Sequence, residues 1–530
     1  VGTNSSYSQW FWYLLGVAAL LLFVRLGAAP IYILDEAKNA QCAREMWQAG
    51  NWIYPTFNGE LRTDKPALHY WFMILSYSFF GEGAAQARLF SAFLGVGVLW
   101  LTFYYVRKFA GDSVAFFSVL TLALSPHFLF EFRLSVPDPY LIFFTTAGLF
   151  FGFRYIHDRC RKSLITCAVC LGLAVLAKGP VALLLPGLVF IVFFIFEKKW
   201  WVIRDPFLLF AIIVAIVVAF PWYYSIHLQS EGAFTKGFFL DHNLNRFSAE
   251  KEGHGGPFII TSIIVLVGLL PFSLCLPESL KKKFGYWKYP LFRFSAIVSI
   301  IYVVFFSISS TKLPNYPMPC YPFAAILVGF YLKGIFEGKI FIPAYVWWMW
   351  ISLSIIIVIA AFFGLRAETS VSHLTWIAFL LILLPLGTCL AFFKRFNGKK
   401  AILVLSITWL LFSMFFLWVG YPLVYKENPV TKLLPIISKK ENAIIVTYKS
   451  YNPGFNFNLE SKKMILSQFK DVDHLKEVAM KNELSARAGE FFVISRLEYL
   501  DEFKGTGFIE IARERDLFEL PTTIILKWRP

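Results

Sequence analysis

Residues 10–36 read WFWYLLGVAALLLFVRLGAAPIYILDE, an apolar run of bilayer-spanning length that ends on two adjacent carboxylates, Asp35 and Glu36. Runs of the same kind recur as far as Gly420, and they account for a composition that is 58% hydrophobic and 19% aromatic. No soluble globular average looks like this. Inside lipid each segment must satisfy its own backbone polar groups, so every such run is predicted to be a helix. They fall near 10–29, 88–107, 113–131, 138–156, 163–178, 180–197, 207–224, 258–277, 291–309, 317–334, 341–363, 374–393 and 401–420. That makes about thirteen spans. The first has no basic segment before it and no small-residue cleavage site, and reads as a retained span. The run 66–80 differs. It starts at Pro66, carries His69, and at ~1.5 Å per residue is shorter than a ~30 Å hydrocarbon core. It is predicted to be re-entrant or interfacial.

The formal charge of +16 does not mark a nucleic-acid protein, because the bases sit in short loops between apolar runs. Alternate loops carry Arg107-Lys108, then Arg159, Arg161 and Lys162, then Lys198, Lys199 and Arg204. The series continues through Lys281–Lys283, Lys333 and Lys339, and ends with Lys394, Arg395, Lys399 and Lys400. The positive-inside rule places this set in the cytoplasm. With 66–80 not crossing, the loop 30–65, the turn 131–138, the loop 225–257 and the turn 310–316 all face outward together. The seven cysteines form no disulfide framework, and the Cys167/Cys170 pair lies inside an apolar helix,.

After Tyr421 charges become frequent and no further span appears. Ala443–Tyr448, Glu490–Ser495 and Gly507–Ala512 are predicted as strands, with a helix at Val472–Lys481,. The fold class is therefore an α-helical multi-span membrane domain over 1–420, with outward loops at 30–87 and 225–257. A small α/β domain over 421–530 follows on the outer side.

The outward segments carry the chemistry. Asp35-Glu36 opens a stretch with small or apolar residues at Ala37, Ala40, Ala43 and Met46-Trp47, closed by Gly50. This predicts an amphipathic helix on the membrane surface. Carboxylates in a first turn complement the helix dipole and need no other role. The loop ends, however, at Arg62-Thr63-Asp64-Lys65-Pro66, where a lysine suits a phosphate as well as it suits snorkelling to headgroups,. Glu131, Arg133 and Asp138 cluster at one turn, Lys178-Gly179-Pro180 breaks two apolar runs, and Lys312-Leu313-Pro314-Asn315-Tyr316 opens another. Arg246 and His254 lie in the long loop. Ionisable groups at this depth are functional candidates by default.

The block Asp35-Glu36 through Glu45-Met46, Gly50-Asn51-Trp52, Pro55, Asn58-Gly59 and Lys65-Pro66 to Tyr70-Trp71 resembles bacterial members of the protein-O-mannosyltransferase superfamily. Within it the block is most similar to the lipid A aminoarabinose transferases. The likeness continues in order through Arg88-Leu89, Asp138, Lys178-Gly179, Arg246-Phe247, His254 to Pro257, and Lys312 to Tyr316. It implies a GT-C fold in a bacterial inner membrane, with the active site and C-terminal domain on the periplasmic side. It also implies inverting transfer of a sugar (4-amino-4-deoxy-L-arabinose in the aminoarabinose enzymes) from a polyprenyl-phosphate carrier to lipid A or another envelope acceptor. By that resemblance Asp35 and Asp138 are the catalytic carboxylates, and Lys38, Lys65, Arg246 and Tyr316 hold the donor phosphate. Asp64 and His254 would bind a divalent metal such as zinc, while Glu36, Lys178 and Lys312 support. The expected partners are the lipid-linked donor, the envelope acceptor and membrane lipid, with no nucleic acid and no nucleotide or redox cofactor. Two alternatives stay open: a protein acceptor, and a lipid or sugar transporter. The transporter is disfavoured because hydropathy does not repeat between the halves. Lys38, Asn39, Arg62-Thr63-Asp64 and Ala67 depart from the family pattern of Arg, Tyr, Tyr-Phe-Glu and Pro, and they bear on the sugar.

Overall fold

The computed structural model describes residues 5–244, 255–393, 397–438, 443–459, 468–483 and 489–529. It opens with α1 (Ser5–Phe23), α2 (Leu34–Gln48), a two-stranded hairpin β1 (Thr56–Phe57) and β2 (Glu60–Leu61), and α3 (Leu68–Phe80). Then come α4 (Ala84–Ala110), α5 (Asp112–Ala123), α6 (Pro126–Glu131), α7 (Asp138–Asp158), α8 (Arg161–Lys178) and α9 (Val181–Phe196). Among the described residues, eight helices are long and apolar enough to span a bilayer: Ser6–Phe23, Ala84–Ala110, Phe207–Gln229, Pro290–Ile308, Met318–Phe336, Ala344–Ala367, Trp376–Phe393 and Gly398–Lys426. A ninth arises if Ile260–Gly268 and Phe272–Ser279, bent by 119°, form one broken span.

Every expected span therefore meets a helix, but the count by length and composition is below thirteen. The run 113–131 is divided between α5 and α6, because Ser125 caps a new helix with Pro126 in its first turn,. α9 has 16 residues. α7 and α8 carry charge near their ends, from Asp138 to Asp158 and from Arg161 to Lys178. These helices lie in the interior, where Phe150, Phe153, Leu164 and Val189 join one buried core with α1, α4 and α5.

α3 has 13 residues, too short to cross, as its sequence predicts. α2 is the expected helix but not a surface one. Glu36, Asn39, Gln41, Arg44 and Glu45 are buried along with its apolar positions. The reason is a second cover: α3 packs on one side and the C-terminal domain on the other, the latter through the short helix Gly454–Asn458.

The C-terminal domain holds a five-stranded mixed sheet in the order β4-β3-β5-β7-β6, where β3 is Ile444–Tyr448, β4 Gln468–Phe469, β5 Phe491–Arg496, β6 Phe508–Arg515 and β7 Thr522–Trp528. β3 pairs in parallel with β4 and β5, with Val446 opposite Val493; β7 runs antiparallel between β5 and β6, with Ile494 opposite Ile525. The helix Val472–Glu483 covers one face, burying Leu475 and Ala479 against Val446, Val493 and Leu526. The β6–β7 turn reaches the membrane domain: the Leu517 amide donates to the Tyr32 hydroxyl at 3.1 Å and the Phe518 amide to Glu368 at 3.2 Å.

Candidate active site

Asp35 and Glu36 lie side by side in the first turn of α2, yet they do different things. Asp35 is exposed. Glu36 is fully buried and forms a two-pronged ion pair with Arg88 of α4, at 2.7 and 2.8 Å. Arg88 also donates to the carbonyls of Leu26 and Ala29 beyond the end of α1, at 2.9 and 2.8 Å. Glu36 in turn accepts from the Ser135 amide at 3.0 Å. One buried pair thus joins α1, α2, α4 and the turn 131–138, the segments that surround Asp35. Lys38 follows Asp35 by one turn and is half-buried.

The chain returns to the same place through the hairpin. Trp71 donates to the Trp52 carbonyl at 2.6 Å and Trp222 to that of Ile53 at 3.2 Å, which ties the loop to α3 and to the helix Phe207–Gln229. Arg62 is buried, with its Nε 3.3 Å from Asp64 Oδ2. Lys65 is buried as well. The charges of Asp35 and Asp64 both act on Arg62. Behind them His69 shares a 3.4 Å contact with Asn39. Burial, then the charges of Arg62 and Lys65, hold its imidazole well below its usual range and therefore neutral,. Burial likewise pushes the Cys42 thiol up to about 12, so it is not a nucleophile. The long loop reaches the hairpin at Gly237, where an added Cβ would sit 2.8 Å from Thr63 Oγ1; only glycine permits that approach,.

The opposite wall comes from two spans and a turn. Asp138, at the start of α7, is buried and ion-paired with Lys178 at the end of α8. The Lys178 ammonium lies 4.8 Å from the centre of the Tyr316 ring, a cation–π contact. Glu131, buried at the end of α6, hydrogen-bonds Asn315 and lies in the electrostatic reach of Asp138, Lys178 and Asp35. Lys312 donates to the Ser309 carbonyl at 2.7 Å and so shapes this turn. Beside Phe130 opens an apolar cavity of about 450 Å³, lined by Ile357, Leu381, Phe416, Tyr421 and, from the C-terminal domain, Phe518.

The structure therefore gathers Asp35, Asp64, Lys65, Asp138, Lys178 and Tyr316 at one end of the helices, with Glu36 and Lys312 fixing the frame. Arg246 and His254 lie outside the described residues. Sequence reading named Glu131, Arg62 and Asn315 only as parts of their motifs and gave them no role at the site. Glu131 had a signal, as a carboxylate inside an apolar helix. Arg62 and Asn315 had none beyond their place in the motifs.

A family model described as dolichyl-phosphate-mannose-protein mannosyltransferase matches residues 64–224. An undecaprenyl phosphate-alpha-4-amino-4-deoxy-L-arabinose arabinosyl transferase of Shewanella sediminis is 31% identical over 335 residues, covering 60% of this chain and 59% of that protein. An uncharacterized protein of Aquifex aeolicus is 31% identical over 302 residues, covering 56% of this chain and 67% of that protein. The chain belongs to the family that this mannosyltransferase model describes. It spans about three fifths of the length of the curated arabinosyl transferases it matches. Within the family its fold is that of ArnT: the crystal structure of ArnT from Cupriavidus metallidurans bound to undecaprenyl phosphate matches with a TM-score of 0.80 over 98% of both chains, at 21% identity.

Proposed function

We propose that this chain is an inverting glycosyltransferase that moves a sugar from a polyprenyl-phosphate carrier to an envelope acceptor, on the periplasmic face of a bacterial inner membrane. The observation that carries the reading is an exposed carboxylate, Asp35, whose charge reaches both the buried Arg62 and the Glu131 beside the Asp138–Lys178 pair. An acceptor hydroxyl oxygen attacks the anomeric carbon, the bond from that carbon to the phosphate oxygen breaks, and the polyprenyl phosphate leaves with both electrons. Asp35 takes the hydroxyl proton. Lys65, with Lys38 and Arg246, compensates the charge growing on the phosphate. Tyr316 and the Asp138–Lys178 pair wall the other side, and the apolar cavity takes lipid chain. The ArnT structure with undecaprenyl phosphate bound and the matched arabinosyl transferases support a polyprenyl donor and make aminoarabinose the first sugar to try.

The test is a donor panel. Membranes containing the full chain receive undecaprenyl-phosphate-linked aminoarabinose, mannose and other sugars, and lipid A and envelope proteins are then analysed by mass spectrometry. Label on lipid A is expected. Label on protein alone would move the acceptor to polypeptide, and donor crossing the membrane without bond cleavage would replace transferase by transporter.

The metal reading fits the described residues poorly. Arg62 sets a permanent charge 3.3 Å from Asp64,, and the second expected ligand, His254, lies outside the described residues. No step here runs through a metal. Dialysis against EDTA is expected to leave the transfer rate unchanged. A loss restored by zinc would show that Asp64 exchanges Arg62 for an ion.

A further inference from the structure

The hairpin that leads into Asp64 and Lys65 is held from two sides, and one side is the C-terminal domain. Arg44, in the middle of α2, has a side chain only 2% exposed. Its Nη1 donates to the Phe457 carbonyl at 3.1 Å, and its Nη2 donates to the Asn456 carbonyl and to Gln41. The guanidinium also lies 5.2 Å from the centre of the Phe457 ring. These carbonyls end the helix Gly454–Asn458, where backbone acceptors lack intrahelical partners and the dipole favours a cation. The next residue, Glu45, grips the hairpin: its carboxylate accepts from the amides of Asn58 and Gly59 at 2.8 and 3.2 Å. Gln41 links the two, donating to Glu45 at 2.8 Å. The ring closes through the domain itself. Asn58 donates to the Tyr451 hydroxyl at 2.6 Å, and the Asn456 amide donates to the Asn58 side-chain oxygen.

We infer that Arg44 and Glu45 are positioning residues that make the C-terminal domain a working part of the active site, bracing the hairpin that sets Asp64 and Lys65 for the lipid phosphate. Neither residue reaches the reacting atoms. Arg44 is nine residues after Asp35, about 13 Å along α2 at ~1.5 Å per residue. The chain order explains why the brace is needed. Arg62 follows β2 directly, so a shift at the hairpin tip passes straight to Asp64 and Lys65. A two-stranded hairpin of two-residue strands would otherwise open locally at little cost,.

The inference rests on the reading of Lys65 as a phosphate ligand, and its test separates the two. Full-length protein in detergent is compared as wild type, Arg44→Met, Arg44→Lys, Tyr451→Phe and Lys65→Met. The readouts are amide hydrogen exchange over 56–66 and affinity for undecaprenyl phosphate. Arg44→Met is expected to raise hairpin exchange and to weaken undecaprenyl phosphate about tenfold, the equivalent of one or two hydrogen bonds. Arg44→Lys restores part of both. Tyr451→Phe, which removes one hydroxyl from the far domain and serves if Arg44→Met does not fold, shifts both in the same direction. Unchanged hairpin exchange in Arg44→Met and Tyr451→Phe overturns the brace, whatever Lys65→Met does. Undiminished affinity in Lys65→Met overturns the phosphate reading and leaves the brace to be judged by exchange.

Discussion

Asp35→Asn is expected to stop sugar transfer, lowering turnover by about three orders of magnitude, the middle of the range a positioned general base contributes. The protein should still insert, fold and bind undecaprenyl phosphate. The expectation follows from how differently the two neighbouring carboxylates are held. Asp35 is exposed, and its charge acts on the buried Arg62 together with that of Asp64, so Arg62 keeps a carboxylate 3.3 Å away in the variant. Asparagine keeps the size of the side chain and one hydrogen-bonding oxygen. The structural cost includes the interaction of a first-turn carboxylate with the helix dipole, about 0.3–1 kcal/mol. A large loss of rate with an unchanged melting transition therefore isolates the chemistry. If undecaprenyl phosphate affinity falls as far as turnover, Asp35 orders the donor rather than taking the proton. Full transfer by the variant would remove Asp35 from the mechanism, and the buried Glu131 facing Asn315 would be the next carboxylate to replace.

How much of this was legible beforehand depended on the range of the interaction concerned. The helices were legible, because each apolar run satisfies its own backbone. So was the shared face of Asp35, Asp138, Lys178 and Tyr316, since counting charges in alternate loops assigns a side to each turn. That 66–80 is shorter than a bilayer is thick was legible from length alone, and α3 has 13 residues. The number of free-standing spans was not legible. Whether α7 and α8 face lipid or protein is decided by the buried core around them, not by their own composition. α2 was placed on the membrane surface because nothing in residues 35–50 announces that Arg44 will meet a carbonyl 413 residues away. The strand Thr522–Trp528 escaped for a related reason. A short apolar run becomes a central strand only once β5 and β6 flank it,. Arg62 was read as a departure from a family pattern; its burial beside Asp64 is a tertiary fact.

Glu36 gives the second large effect, and of the opposite kind. Arg88→Met is expected to destabilise the membrane domain by about 3–5 kcal/mol, because it leaves the Glu36 carboxylate buried and uncompensated. Glu36→Leu strands the Arg88 guanidinium in the same way. In both variants the detergent-solubilised protein should lose its monodisperse fraction at a lower temperature than wild type, and transfer should fall only as far as folded protein falls. The double variant is the informative one. If the pair acted only as two opposed charges, apolar groups of similar volume could restore stability. Here each partner has further duties. Arg88 serves the carbonyls of Leu26 and Ala29, and Glu36 holds the Ser135 amide. Removing both leaves those backbone groups unpaired, at about 1–3 kcal/mol for each one buried. The double variant should therefore recover part of the stability, not all of it. Full recovery would mean that water or a local shift satisfies those backbone groups. The junction of α1, α2, α4 and the 131–138 turn would then be held by packing rather than by the ion pair.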